Sequence, residues 1–149
     1  MKKVLIACDH RGIAMRDKIV EWCNEHGFQP VDMGPKDAAS VDYPDYAVPL
    51  CEEVAKNQDG PVVGVLVCGW GNGMAIAANK VKGIRAGLCM ERVQAEYARL
   101  HNNANVLVIP AEATGYGMMA EILDGFMSTE FEGGRHSRRI GKIADYEGC

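Results

Sequence analysis

The chain has 149 residues, a hydrophobic fraction of 48% and a formal net charge of −4. That length suits one domain with a sizeable core, and the acidic balance argues against nucleic acid or an anionic membrane surface as the main partner. No apolar stretch is long enough to span a bilayer.

The first element follows directly. Val4-Leu5-Ile6-Ala7 stops at Asp9-His10-Arg11, so it reads as a strand rather than as the core of a leader peptide. Further strand signals fall at Gln29–Met33, Val62–Val67, Arg85–Leu88 and Val106–Ile109. Helical signals alternate with them. Met15, Ile19, Trp22 and Cys23 share one face of the first helix. Ala47, Val48, Cys51, Val54 and Ala55 do so in the second. A short third helix follows the glycines near residue 70. Val93, Tyr97 and Leu100 repeat at helical spacing in the fourth, and Met118, Met119, Ile122, Leu123 and Phe126 in the fifth. Each stripe is expected to face the core. Regular alternation of strand and helix implies right-handed crossovers and an α/β, doubly wound, parallel five-stranded sheet with helices on both faces. Residues 1–149 are read as a single domain with 127–149 as a C-terminal helical tail.

Six cysteines stand at 8, 23, 51, 68, 89 and 149, with no C-x-x-C pair. That is not a disulfide scaffold, and a reducing cytoplasm fits it best. No group of Cys and His has metal-ligand spacing, so neither a zinc site nor any cofactor is expected.

Ligands of such sheets bind beyond the carboxyl ends of the strands. Three polar sets should meet there: Cys8-Asp9-His10, Cys68 to Gly73, and Pro110-Ala111-Glu112. The middle set, Cys68-Gly69-Trp70-Gly71-Asn72-Gly73-Met74, joins an apolar strand to a helix. Its glycines let successive N–H groups converge on an anion or a developing oxyanion, with Cys68 at the lip as base or nucleophile. A plain strand-to-helix turn with an inert cysteine fits the glycine spacing equally well. Neither a Walker loop nor a dinucleotide fingerprint is present, so a small anion or sugar phosphate fits better than a nucleotide. His101 ends the fourth helix, where the dipole favours its protonated form; a general acid or base is the functional alternative. Arg135 and Arg139, four apart in the tail, share a helix face able to grip a phosphate, although a solvated basic run is the commoner meaning.

Taken in order, Asp9-His10, Val41-Asp42-Tyr43-Pro44-Asp45, Cys68-Gly69-x-Gly71-x-Gly73-Met74, Ile76-Ala77-Ala78-Asn79-Lys80, Gly83-Ile84-Arg85-Ala86, His101-Asn102-x-Ala104-Asn105-Val106 and Phe131-Glu132-Gly133-Gly134-Arg135-His136-x-x-Arg139 closely resemble the type B ribose-5-phosphate isomerases. That family includes the subunits of galactose-6-phosphate isomerase. The resemblance runs from about Lys2 to Ile143.

It implies a Rossmann-like sheet and metal-independent aldose–ketose isomerisation through an enediolate. Cys68 would be the base, with His101 donating a proton in ring opening and Asp9 nearby. Gly69, Trp70, Gly71, Asn72 and Gly73 would form the anion hole. His10, Tyr43, Asn102, Arg135 and Arg139 would bind substrate, the arginines taking its phosphate. The site would lie between two subunits of a homodimer or dimer of dimers, the tail reaching the partner. A helix N-terminus and a nest of N–H groups would favour the Cys68 thiolate.

Three positions depart from the family pattern. Trp70 replaces a small residue, Arg11 replaces a small residue after Asp-His, and Glu112 replaces a phosphate-contacting arginine. Either Arg11 neutralises Glu112 or takes over the lost phosphate contact, or the substrate differs, or all three are tolerated drift around a working site. The candidates are allose 6-phosphate, galactose 6-phosphate or an unphosphorylated aldose. A sugar-phosphate sensor or a subunit of a hetero-oligomer would need fewer of the residues present.

Overall fold

A computed structural model describes residues 2–58 and 60–148. Cys149, for which the sequence suggests no role, lies outside them. The strands are β1 (Lys3–Cys8), β2 (Gln29–Asp32), β3 (Val62–Cys68), β4 (Ala86–Leu88) and β5 (Val106–Pro110). The helices are α1 (Ile13–Glu25), α2 (Pro44–Lys56), α3 (Asn72–Ala78), α4 (Arg92–Asn102), α5 (Tyr116–Ser128) and α6 (Arg135–Glu147). A single 3-10 turn, Ala111–Ala113, separates β5 from α5.

All strand pairings are parallel and the order is β2-β1-β3-β5-β4. β3 is therefore central, with β1 on one side and β5 on the other. Register aligns Cys8 with Val67 and Cys68 with Pro110. The carboxyl ends of β1, β3 and β5 thus lie side by side, and Asp9, Cys68 and Glu112 leave the sheet there.

Alternating side chains sort the core into two layers. Val4, Ile6, Val65, Val67, Leu107 and Ile109 pack with α1, α4 and α5. Leu5, Ala7, Leu66, Val106 and Val108 pack with α2 and α3. Full burial of each large aliphatic residue contributes about 1.5–3 kcal/mol. The stripes expected on α1 and α2 are buried or half-buried as read, and Leu50 joins the second.

The α4 stripe is not the buried face, and one residue of the α5 stripe departs from the expectation. Val93 and Tyr97 of α4 are 47% and 51% exposed, and Ala95 faces the core instead. The helix approaches α5 through small side chains and through Arg92, whose guanidinium pairs with Glu96, Glu121 and Asp124. The apolar stripe is consequently turned outward. Met118 of α5 is likewise exposed, while Met119, Ile122, Leu123 and Phe126 are buried.

Helix α6 lies outside both layers. It packs on α4, and Gly83 N–H donates to Glu147 at 3.1 Å. Among the described residues, no helix is long and apolar enough to cross a membrane.

Candidate active site

The glycine turn after β3 takes the conformation that its composition requires. Gly71 has φ +82°, a left-handed value that a Cβ disfavours, and it caps α3. Its N–H donates to Cys68 Sγ at 3.2 Å. The N–H groups of Met74 and Trp70 also face that sulfur. Ala75 N–H makes the first helical bond, to the Gly71 carbonyl. The N–H groups of Asn72 and Gly73 have no protein acceptor among the described residues.

Donors of this kind stabilise a thiolate, yet the Cys68 thiol is pushed up from its ordinary value of 9.0. Burial is the main cause, since the residue is only 6% exposed, and the Asp9 carboxylate adds to it. The backbone donors oppose both and are outweighed. The expected lowering is thus corrected: the nest is present, and desolvation exceeds it.

The neighbouring strand ends complete this half. Asp9 is buried, and its Oδ1 accepts the Arg11 N–H at 2.9 Å. His10 Nδ1 accepts the Val41 N–H at 3.3 Å, which ties the β1 loop to the segment before α2. Tyr43 heads α2 and lies across Gly73; a Cβ there would come within 2.8 Å of its ring. The Trp70 ring is 61% exposed. Arg11 lies against Gly69, and Glu112 N–H donates to the Gly69 carbonyl at 2.9 Å. No ion pair joins Arg11 to Glu112 among the described residues, although both side chains lie against Gly69.

A second group forms elsewhere. His101 stacks on His136, with centroids 4.1 Å apart and planes at 14°, and meets the edge of Tyr97 at 4.7 Å. Glu132 Oε2 lies 3.2 Å from His136 Nε2 and 3.8 Å from His101 Nε2. Burial, then the charges of His101 and Arg135, lower the His136 pKa, against the pull of Glu132. Asn102 follows His101, and Arg135 and Arg139 are exposed on α6 beside this group. Sequence spacing suggested no set of metal ligands, yet ligand atoms of His101, Glu132 and His136 lie within 4.8 Å of one another. The near-parallel rings aim their nitrogens alongside each other rather than at one point, as a metal cage requires.

The two groups do not meet within one chain. Arg85 Nε bonds the carbonyls of Asn102 and Asn103, just ahead of β5, whereas Cys68 pairs with the last residue of β5. The four steps from Val106 to Pro110 span about 13 Å. Asp9, His10, Tyr43 and residues 68–73 therefore form one half. His101, Asn102, Arg135 and Arg139 form the other, at the opposite end of the sheet.

Sequence reasoning assigned no role to Glu132 or His136, although both lie in the quoted tail motif. Their i, i+4 spacing across Gly133-Gly134 was the available signal. Arg16 was also missed. It is buried, pairs with Asp17 and Asp32, and holds the Pro35 carbonyl.

The chain matches the Ribose/Galactose Isomerase family over residues 4–143. It is 46% identical to a Bacillus subtilis (strain 168) protein that bears the provisional name sugar phosphate isomerase YwlF, over 97% of each chain. It is 38% identical to ribose-5-phosphate isomerase B of Escherichia coli (strain K12), over 99% of this chain and 97% of that one. Its fold superposes on ribose-5-phosphate isomerase B from Mycoplasma genitalium, solved with bound ribulose-5-phosphate. The TM-score is 0.94 at 42% identity, over 98% of this chain and 96% of that one.

Fold and likeness together define an enzyme that isomerises sugar phosphates. The chain belongs to the ribose/galactose isomerase family.

Proposed function

We propose that this chain interconverts ribose 5-phosphate and ribulose 5-phosphate, with Cys68 as the base. The observation that carries this reading is the Cys68 sulfur held by the Gly71 N–H at the carboxyl end of the central strand, with Asp9 alongside.

The chemistry follows from the residues. His101 of a second copy gives a proton to the ring oxygen as the C1–ring-oxygen bond breaks, the anomeric hydroxyl yields its own proton to solvent, and the open aldehyde forms. The Cys68 thiolate takes the proton from C2. The C2–H electron pair forms the C1–C2 double bond, and the carbonyl pair moves onto O1 as an enediolate. The free N–H groups of Asn72 and Gly73 are suited to meet that charge. The C2 hydroxyl proton passes to O1, the double-bond pair moves to C1 as Cys68 returns its proton there, O2 closes to the carbonyl, and the ketose results. Arg135 and Arg139 of the second copy hold the phosphate dianion bidentately. Two copies in opposite orientation unite the halves that one chain keeps apart. No metal takes part, so turnover should survive dialysis against a chelator.

Ribose 5-phosphate turnover by the purified protein tests the reading. Cys68→Ala should lose about 10²- to 10⁴-fold. Solvent deuterium should enter the substrate pool, which a sensor would not permit. Mixing inactive Cys68→Ala and His101→Asn chains should restore about a quarter of wild-type activity, because half the dimers then carry one intact site of two. Absence of restoration would reject the shared site.

Glu112 favours a second reading. An unpaired carboxylate close to Gly69 suits a sugar whose charge lies elsewhere, so six-carbon phosphates and free aldoses belong in the same assay.

A further inference from the structure

The tail turns back on the end of α4 through two glycines. Gly133 and Gly134 have φ +73° and +58°, left-handed values that a side chain would resist. Ahead of them, Glu132 N–H donates to the Leu100 carbonyl at 3.0 Å, and Arg99 Nε donates to the Thr129 carbonyl at 3.3 Å. Helix α6 starts directly after the glycines, so its first turn lays His136 on His101. Glu132, which precedes the helix, returns to the same place.

These contacts converge on one ring. His136 covers a face of the His101 imidazole, with planes at 14°, and Tyr97 stands at 78° to it. Glu132 Oε2 is near both Nε2 atoms, without the alignment of a hydrogen bond to that of His136. An imidazole otherwise turns broadly about χ2. A ring stacked face to face cannot turn so without breaking its contact. Exposure separates the two histidines. The His101 side chain is 31% accessible and can meet a substrate, whereas that of His136 is 5% accessible and acts on one only through its neighbour.

We propose that His136, braced by Glu132, is a positioning residue that fixes the plane of the His101 imidazole for ring opening and takes no part in proton transfer at Cys68. The inference rests on the isomerase reading, in which His101 is the proton donor. It confines the effect of His136 to one step of the reaction.

The test separates that step from the rest. Ribose 5-phosphate must open its ring, whereas ribulose 5-phosphate has no free hydroxyl at C5 and stays open. Hydrogen exchange at C1 of ribulose 5-phosphate in D2O therefore needs the base but no ring opening. Both rates are measured for wild type, His136→Ala, His136→Phe, Glu132→Gln and His101→Asn. His136→Ala should lower kcat on ribose 5-phosphate by about tenfold or more, shift KM less than about twofold, and leave C1 exchange within about twofold of wild type. His136→Phe keeps a flat ring on His101 and should recover most of the loss. Glu132→Gln should show the same selective loss in smaller measure. Added to His101→Asn, His136→Ala should cost nothing further. Equal losses in the two assays would overturn the proposal. So would full ribose 5-phosphate turnover by His136→Ala, no recovery in His136→Phe, or an undiminished second loss in the double variant. Should His136→Ala not fold, Glu132→Gln, a change of one exposed side chain, decides by the same comparison. Failure of the isomerase reading shows separately, as absent Cys68-dependent exchange in the wild type.

Discussion

The imidazoles of His101 and His136 lie face to face, 4.1 Å between centroids, and share the carboxylate of Glu132. One ring ends α4 and the other belongs to the first turn of α6. The contact therefore fixes the start of the last helix against the residue proposed as proton donor. Positive charge on the facing ring disfavours a proton on His136.

His136 should accordingly titrate below the ordinary histidine value of 6.5, as its burial and the nearby positive charges require. Glu132→Gln should push it lower still, since that carboxylate is the one group raising it. A group depressed in the folded state supports folding above its unfolded value and loses that support as pH falls through the folded one. Proton NMR of the ring resonances against pH checks both shifts. An upward movement in Glu132→Gln would contradict the arrangement.

Cys68 should react with iodoacetamide only as pH rises above the range of an ordinary thiol, because burial and Asp9 both favour the protonated form. Asp9→Asn removes one of these causes, so its alkylation profile should move to lower pH. Activity of the wild type should climb with pH over the same range, as the small thiolate fraction grows. If the two chains share one alkylation profile, Asp9 does not act on the sulfur.

Replacing Gly71 by alanine should destabilise the fold by about 1–3 kcal/mol, from the left-handed backbone and the pressure of a new methyl on Leu88. It should also loosen the N–H that holds Cys68, so turnover should fall further than stability alone explains. Urea denaturation and kcat, measured side by side, separate the two effects.

Alkaline pH should weaken the protein through its other thiols. Burial pushes Cys8 and Cys51 up to about 12, and Cys23 and Cys89 up to about 11, from 9.0. Raised groups contribute their stability fully below the unfolded value and lose it as pH climbs toward the folded one. The urea midpoint should fall steadily from pH 9 upward. Cys51→Ala should flatten part of that fall.

Much of this was legible in the chain. Strand positions such as Val62–Val67 and Val106–Ile109 are continuous apolar runs, and burial on both faces of a parallel sheet demands that pattern. Residues 68–73 were readable because glycine period and strand-to-helix position coincide. The α4 stripe was misread because periodicity reports that a face is apolar, not what covers it. The pairing of His101 with His136 was illegible for a different reason: 34 intervening residues are folded back by β5 and α5. The separation of His101 from Cys68 needed strand direction as well as strand position.

The central place of β3 has a further consequence for how the two halves open. A strand paired on both flanks exchanges its amide protons slowly, through near-global unfolding, and Cys68 ends that strand. Arg135 and Arg139 stand instead on α6, outside both core layers, with His101 at the last turn of α4 beside it. Opening of α6 requires no loss of the core. On gentle heating, α6 should take up deuterium well before β3, and catalysis should fade while the sheet is still intact.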